Sequence, residues 1–324
     1  MAISSEVADH FSRNVTDHPY WSESSWFSFH IPERNVNGAF YNHFRPNMNC
    51  MLAGVFIWDL TGQTNWDCLY FDWQAMRVPP EGRFGADYDK YDFATPWGMS
   101  IEMVEPLQRY ALKHERPNFS LNLMFEAVAE AHEIGRKTEH GIQNAYNFHF
   151  EQPGRIKGSF AIGGDRYEVD SFSIRDGSHG PRFLEVMTPN GYTWSTGDER
   201  TGWHILAPNA DGGRESIIVG GYILRDGQIA SIAQGVRRVL ERDGPRPSVV
   251  EVVATDELGR SLHAIGRQKV PSTFQLFPDR GTFWQQFAWD YDGLTDAIGE
   301  DQETYALHDF RAWNRAGPEK WGLR

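Results

Sequence analysis

Hydrophobic and polar residues alternate along most of this chain with a period of two residues, which is the pattern of half-buried β-strands. The alternation is clearest at residues 119–125 and 156–162. Turn sequences such as Asn37-Gly38 and Gly163-Gly164-Asp165 separate successive runs. Long segments with the 3.6-residue period of a helix are almost absent. The pattern therefore predicts an all-β protein, built as a sandwich or a barrel of short antiparallel strands.

Two series of predicted hairpins of similar length follow one another, one before and one after residue 172. No Gly/Ser-rich or Pro-rich linker separates them. We therefore predict an N-terminal β domain over residues 1–172 and a C-terminal β domain over residues 173–324, packed tightly together. Outside these hairpins, we predict one short helix over residues 6–13 and a short strand or turn over residues 306–314.

The centre of the chain, residues 173–182, reads Ser-Ile-Arg-Asp-Gly-Ser-His-Gly-Pro-Arg and concentrates polar side chains in a few positions. Its Gly and Pro residues predict a sharp corner, which would aim an acidic side chain into a cavity. The alternative is a tight turn fixed by structural ion pairs among its charged residues, Arg175, Asp176 and Arg182.

The charge balance limits the partners that the chain can have. The 324 residues carry a formal net charge of -13, and no basic patch is evident, so we expect neither a nucleic-acid partner nor an anionic membrane surface. No apolar run approaches the length that spans a bilayer, and the first residues lack a basic segment followed by an apolar one, so we expect no membrane insertion and a cytoplasmic location. The two cysteines, Cys50 and Cys68, are predicted to be free thiols.

Aromatic residues make up 14% of the chain, including 12 Trp and 21 Phe. A core does not need so much ring surface, and aromatic rings also line pockets for apolar ligands. The clusters that contain Trp26 and Trp284 can be interpreted as core or as ligand wall. Trp313, near the C-terminal end, could close such a pocket. The excess of rings favours a hydrophobic small molecule as the partner.

Three segments of the chain carry a family resemblance: Glu151-Gln152-Pro153-Gly154-Arg155-Ile156-Lys157-Gly158, Gly164-Asp165-Arg166-Tyr167 and the central stretch 173–182. They resemble the AttH-like proteins, a tandem calycin family that includes hydroxyneurosporene synthase, kievitone hydratase and fungal lipocalin-like Diels-Alderases. The family pattern in that stretch reads Arg-Asp-His-Ser-Trp-Gly. This chain keeps its Arg, Asp, Ser and Gly but has Gly177 at the His position and His179 at the Trp position.

The resemblance implies two lipocalin-like antiparallel β domains packed together, with an apolar ligand in a barrel mouth or between the domains. It also implies that water is added to, or removed from, an unsaturated hydrophobic molecule, or that such a molecule is reorganised, without a cofactor.

Such chemistry needs a proton donor and a base in a dry pocket. Asp176 is the predicted acid, because an apolar cavity favours a protonated carboxyl group. His179 is the predicted relay or base. In a strand, His149 and Glu151 would share one face and could position a substrate hydroxyl, although a solvated strand face would look the same. Tyr146 and Arg182 are further substrate-binding candidates.

The sequence predicts no metal site, because its His residues lack the close spacing of known ligand pairs. Its Gly-Gly pairs do not precede predicted helices, so they are not phosphate-binding loops. A Gly-x-Ser-x-Gly elbow, typical of many hydrolases, is missing too.

The function predicted from the sequence is therefore a cofactor-independent lyase or isomerase, of the hydratase–dehydratase type, that acts on a terpenoid, steroid or polyketide-like substrate. Two alternatives remain open: a non-catalytic carrier of the same hydrophobic molecules, and a cyclase or pericyclic catalyst that shapes a bound polyene.

Overall fold

A computed structural model of the chain describes residues 3–10, 17–79, 86–87, 91–134, 148–182, 190–208 and 214–317. Strands make up most of it, so the predicted all-β class with two lipocalin-like domains is confirmed. The chain divides into two compact units. The first comprises Met1–Ile57, Leu69–Glu133 and Gln143–Leu184, and the second comprises Trp58–Cys68, Ile134–Ile142 and Glu185–Arg324.

The first unit is built on a curled sheet of twelve antiparallel strands, which forms a half-barrel. In chain order the strands are β1 (Trp21–Ile31), β2 (Val36–Arg45), β3 (Cys50–Trp58), β4 (Tyr70–Arg77), β5 (Ala86–Asp87), β6 (Asp92–Ala94), β7 (Met99–Glu105), β8 (Arg109–Arg116), β9 (Phe119–Ala127), β10 (His132–Glu133), β11 (Phe148–Ile162) and β12 (Asp165–Pro181). The spatial order runs β4-β3-β2-β1-β12-β11-β9-β8-β7-β6-β5, with β10 paired to β11. The two longest strands, β11 and β12, therefore lie in the middle of the sheet, next to β1.

The second unit is built on a closed barrel of eight strands. Its sheet contains β13 (Asn190–Thr196), β14 (Gly202–Pro208), β15 (Glu215–Ile217), β16 (Gly220–Arg225), β17 (Gln228–Asp243), β18 (Arg246–Asp256), β19 (Ser261–Val270), β20 (Phe274–Phe277), β21 (Arg280–Tyr291) and β22 (Leu294–Ala306). Pairing of β17 with β18 closes the barrel, while β15 and β20 lie beside it. A closed barrel leaves no unpaired edge among its eight strands.

Two α-helices and two 3-10 turns complete the described structure. The helices are α1 (Ser5–Ala8) and α2 (Leu307–Ala316), and the 3-10 turns are Pro32–Arg34 and Pro46–Met48. The prediction of a strand or turn over the C-terminal tail was therefore wrong. Phe310 of α2 packs against Phe283 and Tyr305, and this contact with the barrel stabilises a helix that the short apolar pattern did not reveal.

None of the helices in the described ranges is both long enough and apolar enough to cross a membrane.

Each unit has its own hydrophobic core on the inner side of its sheet. Phe27, Phe29 and Phe125 are among the fully buried rings of the first core. In the second core, Trp203 and Trp289 pack edge to face with their ring centroids 4.8 Å apart. Much of the aromatic excess of the sequence therefore fills these two cores.

The central stretch 173–182 does not form the predicted sharp corner. Its residues up to Pro181 belong to β12, which pairs with β11 and, over Phe27 to Trp21, with β1. Gly177 serves a packing purpose, because a Cβ atom there would lie 2.4 Å from the ring of Phe150. The predicted domain boundary at residue 172 falls inside this strand, and the first unit extends to Leu184.

We predict that Gly177→Ala lowers the free energy of unfolding by about 1–3 kcal/mol, the usual cost of overpacking a buried site. Thermal and denaturant unfolding would measure the loss. The change Phe150→Leu removes the ring that the new methyl group meets, so the double variant should lose less stability than the two single changes added together. Simple additivity would contradict this account of Gly177.

Candidate functional site

Three neighbouring strands bring a set of polar side chains together on one face of the first sheet. Asp176 of β12 lies opposite Trp26 of β1 and Glu151 of β11. Alternate residues of a strand share a face, so the residues two positions away join the same face. We call this surface the acid face; it consists of Ser24, Trp26, His149, Glu151, Asp176 and Ser178.

His149 and Glu151 form a buried pair within the acid face. His149 Nε2 lies 2.7 Å from Glu151 Oε1, and the two residues are 5% and 0% exposed. Burial lowers the pKa of His149 to about 4, with the charge of Asp176 opposing the shift and that of Arg182 adding to it. The imidazole is therefore neutral near pH 7. When Nε2–H donates to the carboxylate, Nδ1 carries the lone pair that can accept a proton.

The carboxyl group of Asp176 has a strong tendency to stay protonated. Its Oδ1 atom is buried and has no hydrogen-bond partner among the described residues. Burial is the main cause that raises its pKa to about 7, and the negative charge of Glu151 adds to it, against the opposing effects of His149, Arg182 and the Trp26 backbone N–H. Near neutral pH a large fraction of Asp176 therefore carries a proton that it can donate.

Arg182 lies at the edge of the acid face without pairing to Asp176. Its guanidinium donates to Ser178 Oγ at 2.7 Å and to Ser24 Oγ at 3.4 Å, and it reaches the Tyr41 hydroxyl at 3.5 Å. Across the described residues, Asp176 makes no salt bridge.

Arg175, on the opposite face, donates to Gln152 Oε1 at 2.7 Å and to Asp9 Oδ1 at 3.3 Å. The structural ion network among Arg175, Asp176 and Arg182, left open by the sequence, is therefore not formed.

Aromatic rings border the acid face. Trp26 is 3% exposed and lies opposite Tyr41 of β2. The Tyr41 ring stacks on Trp73 of β4 with centroids 5.4 Å apart, and Phe56 meets Trp73 edge to face at 6.3 Å. These rings give the acid face an apolar border. Sequence reasoning missed Tyr41 and Trp73, although the period-two alternation of their strands could have assigned them a face.

The side chain of His179 does not lie on the same face of the sheet as that of Asp176. The two residues are three positions apart on one strand, so their side chains project from opposite faces of the sheet. The His179 ring lies between Phe148 and Trp21, with centroid distances of 5.0 and 6.0 Å. Burial lowers its pKa to about 4. The geometry therefore offers no direct relay between Asp176 and His179, and His149 is the imidazole that accompanies the acid.

Three other substrate-binding candidates were predicted from the sequence. Trp284 belongs to the second unit, where its Nε1–H donates to Glu300 at 2.7 Å and its ring packs edge to face against Trp58. Tyr146 and the side chain of Trp313 lie outside the described residues.

The acid face also offers a possible set of metal ligands. One ligand atom each from His149, Glu151 and Asp176 lies within 4.8 Å of the others. One imidazole and two carboxylates suit a divalent cation. The positive charge of Arg182 acts on both His149 and Asp176 and opposes a second cation there. We therefore interpret the three residues as an acid–base group.

Comparisons with known proteins agree with this fold. A family model described as a domain of unknown function, DUF7064, matches residues 6–293. A comparison with curated protein sequences gave no match.

Several solved structures are similar. A Nitrosomonas europaea protein assigned as AttH aligns with a TM-score of 0.59 and 12% identity, over 88% of this chain and 91% of that chain. Kievitone hydratase from Nectria haematococca aligns with a TM-score of 0.59 and 9% identity, over 94% and 93%. CghA aligns with a TM-score of 0.55 and 10% identity, over 88% and 87%. The resemblance to the AttH-like tandem calycins is thus confirmed at the level of the fold.

We predict that Asp176→Asn raises the melting temperature relative to wild type, increasingly so as the pH rises from about 4 to about 7. The folded protein binds the Asp176 proton more tightly than the unfolded chain does, so wild type loses stability over that interval while the amide does not. Above pH 7 the difference should stay constant. Asp170→Asn, on the same strand but with a side chain that is 53% exposed, is the control for the substitution itself and is measured at the same pH values. If the difference in melting temperature between Asp176→Asn and wild type does not change with pH, the raised pKa of Asp176 is contradicted.

We also predict that the purified protein carries less than one equivalent of metal, and that added Zn²⁺ or Mn²⁺ leaves its melting temperature unchanged. Elemental analysis would measure the metal content, and a thermal-shift assay would measure the melting temperature. One equivalent of metal in wild type that is lost in both His149→Ala and Asp176→Asn would show instead that the acid face is a metal site.

Proposed function

The chain belongs to the DUF7064 family and has the AttH-like tandem calycin fold, and we propose that it is a lyase of the hydratase–dehydratase type acting on an unsaturated hydrophobic substrate. The substrate class is a terpenoid, steroid or polyketide-like molecule. Asp176 is the proposed acid, His149 the proposed base, and Glu151 the residue that orients the base. No cofactor is needed, because the chain supplies both proton-transfer groups itself.

The observation that carries the proposal is the contrast between two neighbouring groups. A carboxyl group with a pKa raised to about 7 can give a proton, while an imidazole with a pKa lowered to about 4 can take one at the same pH. Pairs of groups whose environments move their pKa values apart are typical of acid–base catalysis. Glu151 stabilises the imidazolium that forms when His149 accepts a proton.

The proposed hydration needs only proton transfers and one nucleophile. Asp176 donates its proton to one alkene carbon, water attacks the other carbon, and His149 takes the proton that the water loses. The product is an alcohol, and no electrons are exchanged with another molecule. In the reverse direction Asp176 protonates the hydroxyl, water leaves, and His149 removes the proton from the neighbouring carbon.

The rings beside the acid suit a hydrophobic substrate. Trp26 supplies apolar surface next to Asp176, and Tyr41 and Trp73 extend that surface across the neighbouring strands. Their π faces also attract positive charge, which develops on carbon when an alkene is protonated. A solvated, polar border would favour neither the binding of a hydrophobic substrate nor the stabilisation of that positive charge. Kievitone hydratase, similar in fold, is named for a hydration, and this supports the proposed reaction class.

We predict that Asp176→Asn lowers turnover by roughly 10²–10⁴-fold, the usual effect of losing a general acid, while the fold is kept. Candidate alkenes and tertiary alcohols of the three substrate classes would be incubated in ¹⁸O-labelled water, and label in the alcohol would be followed by mass spectrometry. The exposed control Asp170→Asn should turn over like wild type.

Two outcomes would contradict the proposal. If Asp176→Asn melts far earlier but turns over normally where it is folded, Asp176 has only a structural role. If wild type binds these molecules tightly but never exchanges label with water, the protein is a carrier.

A further inference from the structure

A guanidinium group at the edge of the acid face has hydroxyl groups as its partners rather than a carboxylate. Arg182 directly follows β12 and is half-buried, and among the described residues its guanidinium donates to Ser178, Ser24 and Tyr41. Its buried Nε atom has no hydrogen-bond partner in that part of the chain. Arginine does not lose its proton in proteins, so withdrawing it from water without a counter-charge costs free energy. A bound anion would offset that cost.

Arg45 places a second positive charge beside the first. Its Nη1 donates to the backbone carbonyl oxygens of Tyr20 at 3.0 Å and of Arg182 at 3.1 Å, which are neutral partners. Burial lowers the pKa of Arg45 to about 10, and the charge of Arg182 adds to this shift. Burial also lowers the pKa of His43 well below its usual range, and again Arg182 adds to the shift. This corner of the sheet therefore has a positive potential, which attracts anions.

The hydroxyl groups around Arg182 retain protons that they can donate. Ser24 Oγ and Ser178 Oγ lie 2.9 Å apart, so one of their two protons serves the bond between them and the other remains. The Tyr41 hydroxyl accepts from Arg182 Nη1 at 3.5 Å and keeps its own proton. These protons and the Nε–H of Arg182 are hydrogen-bond donors close to a positive charge. An anionic oxygen is the acceptor that such a group binds most strongly.

We propose that Arg182, with Ser178 and Tyr41, binds a carboxylate of the molecule that the acid face acts on, so that the substrate is an unsaturated hydrophobic acid. This narrows the substrate class and rests on the function proposed above. Ser178 and Asp176 are two positions apart on β12 and project from the same face, about 7 Å from one another. The double bond that Asp176 protonates should therefore lie about 7 Å from the carboxylate.

Geranic acid, its neutral amide and geranylamine test the proposal, because they share one unsaturated chain and differ in the end group. Each is titrated into the full chain by calorimetry at about pH 6, where geranic acid is ionised and Asp176 is largely protonated. Geranic acid should bind at least about tenfold more tightly than the amide, the effect of one hydrogen bond to a charged group. Geranylamine should bind most weakly. The NMR resonance of the Arg182 Nε–H should shift when geranic acid binds, because this donor gains an acceptor.

Three variants show whether Arg182 causes the preference. Arg182→Gln should weaken geranic acid by about 10–100-fold and the amide by no more than about threefold. Arg182→Lys keeps the charge but loses the planar fork, so it should retain part of the preference for the acid. Arg166→Gln, which removes the same charge from an exposed position of β12, is the matched control and should leave both affinities unchanged.

Two results would overturn the proposal. One is that wild type binds geranic acid no more tightly than the amide, a comparison that decides the question even if Arg182→Gln does not fold. The other is an equal loss for acid and amide in Arg182→Gln, which would show that Arg182 only holds Ser24 and Ser178 in place.

The proposed reaction can fail separately from the carboxylate site. If geranic acid is preferred because of Arg182 but takes up no ¹⁸O label from water, the hydration is contradicted and the carboxylate site stands. If acid and amide are hydrated with equal efficiency in both wild type and Arg182→Gln, the carboxylate site is contradicted and the hydration stands.

Discussion

The uninterrupted pairing of β12 with β1 and β11 is the constraint on which the acid face and the proposed carboxylate site depend. Because β12 stays extended and in register from Asp165 to Pro181, its side chains alternate strictly between two faces. Asp176 and Ser178 point to one face, and Gly177 and His179 point to the other. A single bulge in this stretch would exchange the side chains of the two faces, and Asp176 would then point to the face that now carries His179.

Two buried carboxyl groups, one in each unit, differ in what surrounds them. In the second barrel, Glu303 is fully buried but bound by Arg237 and Arg242, which hold its pKa at about 2 although burial works against them. In the first unit, Asp176 Oδ1 is buried with no hydrogen bond among the described residues. A carboxylate in that position is unfavourable, and protonation relieves the cost. Glu303 is thus a structural group, whereas Asp176 has the properties of a proton donor.

The fold class and part of the site could be predicted from the sequence because they follow from local strand geometry, whereas the rest depends on long-range pairing. Period-two alternation follows from strand geometry, so the all-β fold and the shared face of His149 and Glu151 could be predicted locally. The partners across the sheet could not, because Trp26, Glu151 and Asp176 are brought together by pairings between residues far apart in the chain.

The glycines of the central stretch were misleading for a similar reason. Gly177 is required by the ring of Phe150, not by a turn, and nothing near it in the sequence shows that. With the stretch identified as a strand, the odd spacing from Asp176 to His179 would have placed them apart. The Gly177 and His179 departures from the AttH-like pattern then have one interpretation. Both positions lie on the face opposite Asp176, about 7 Å apart along the strand, so neither residue contributes a side chain to the acid face.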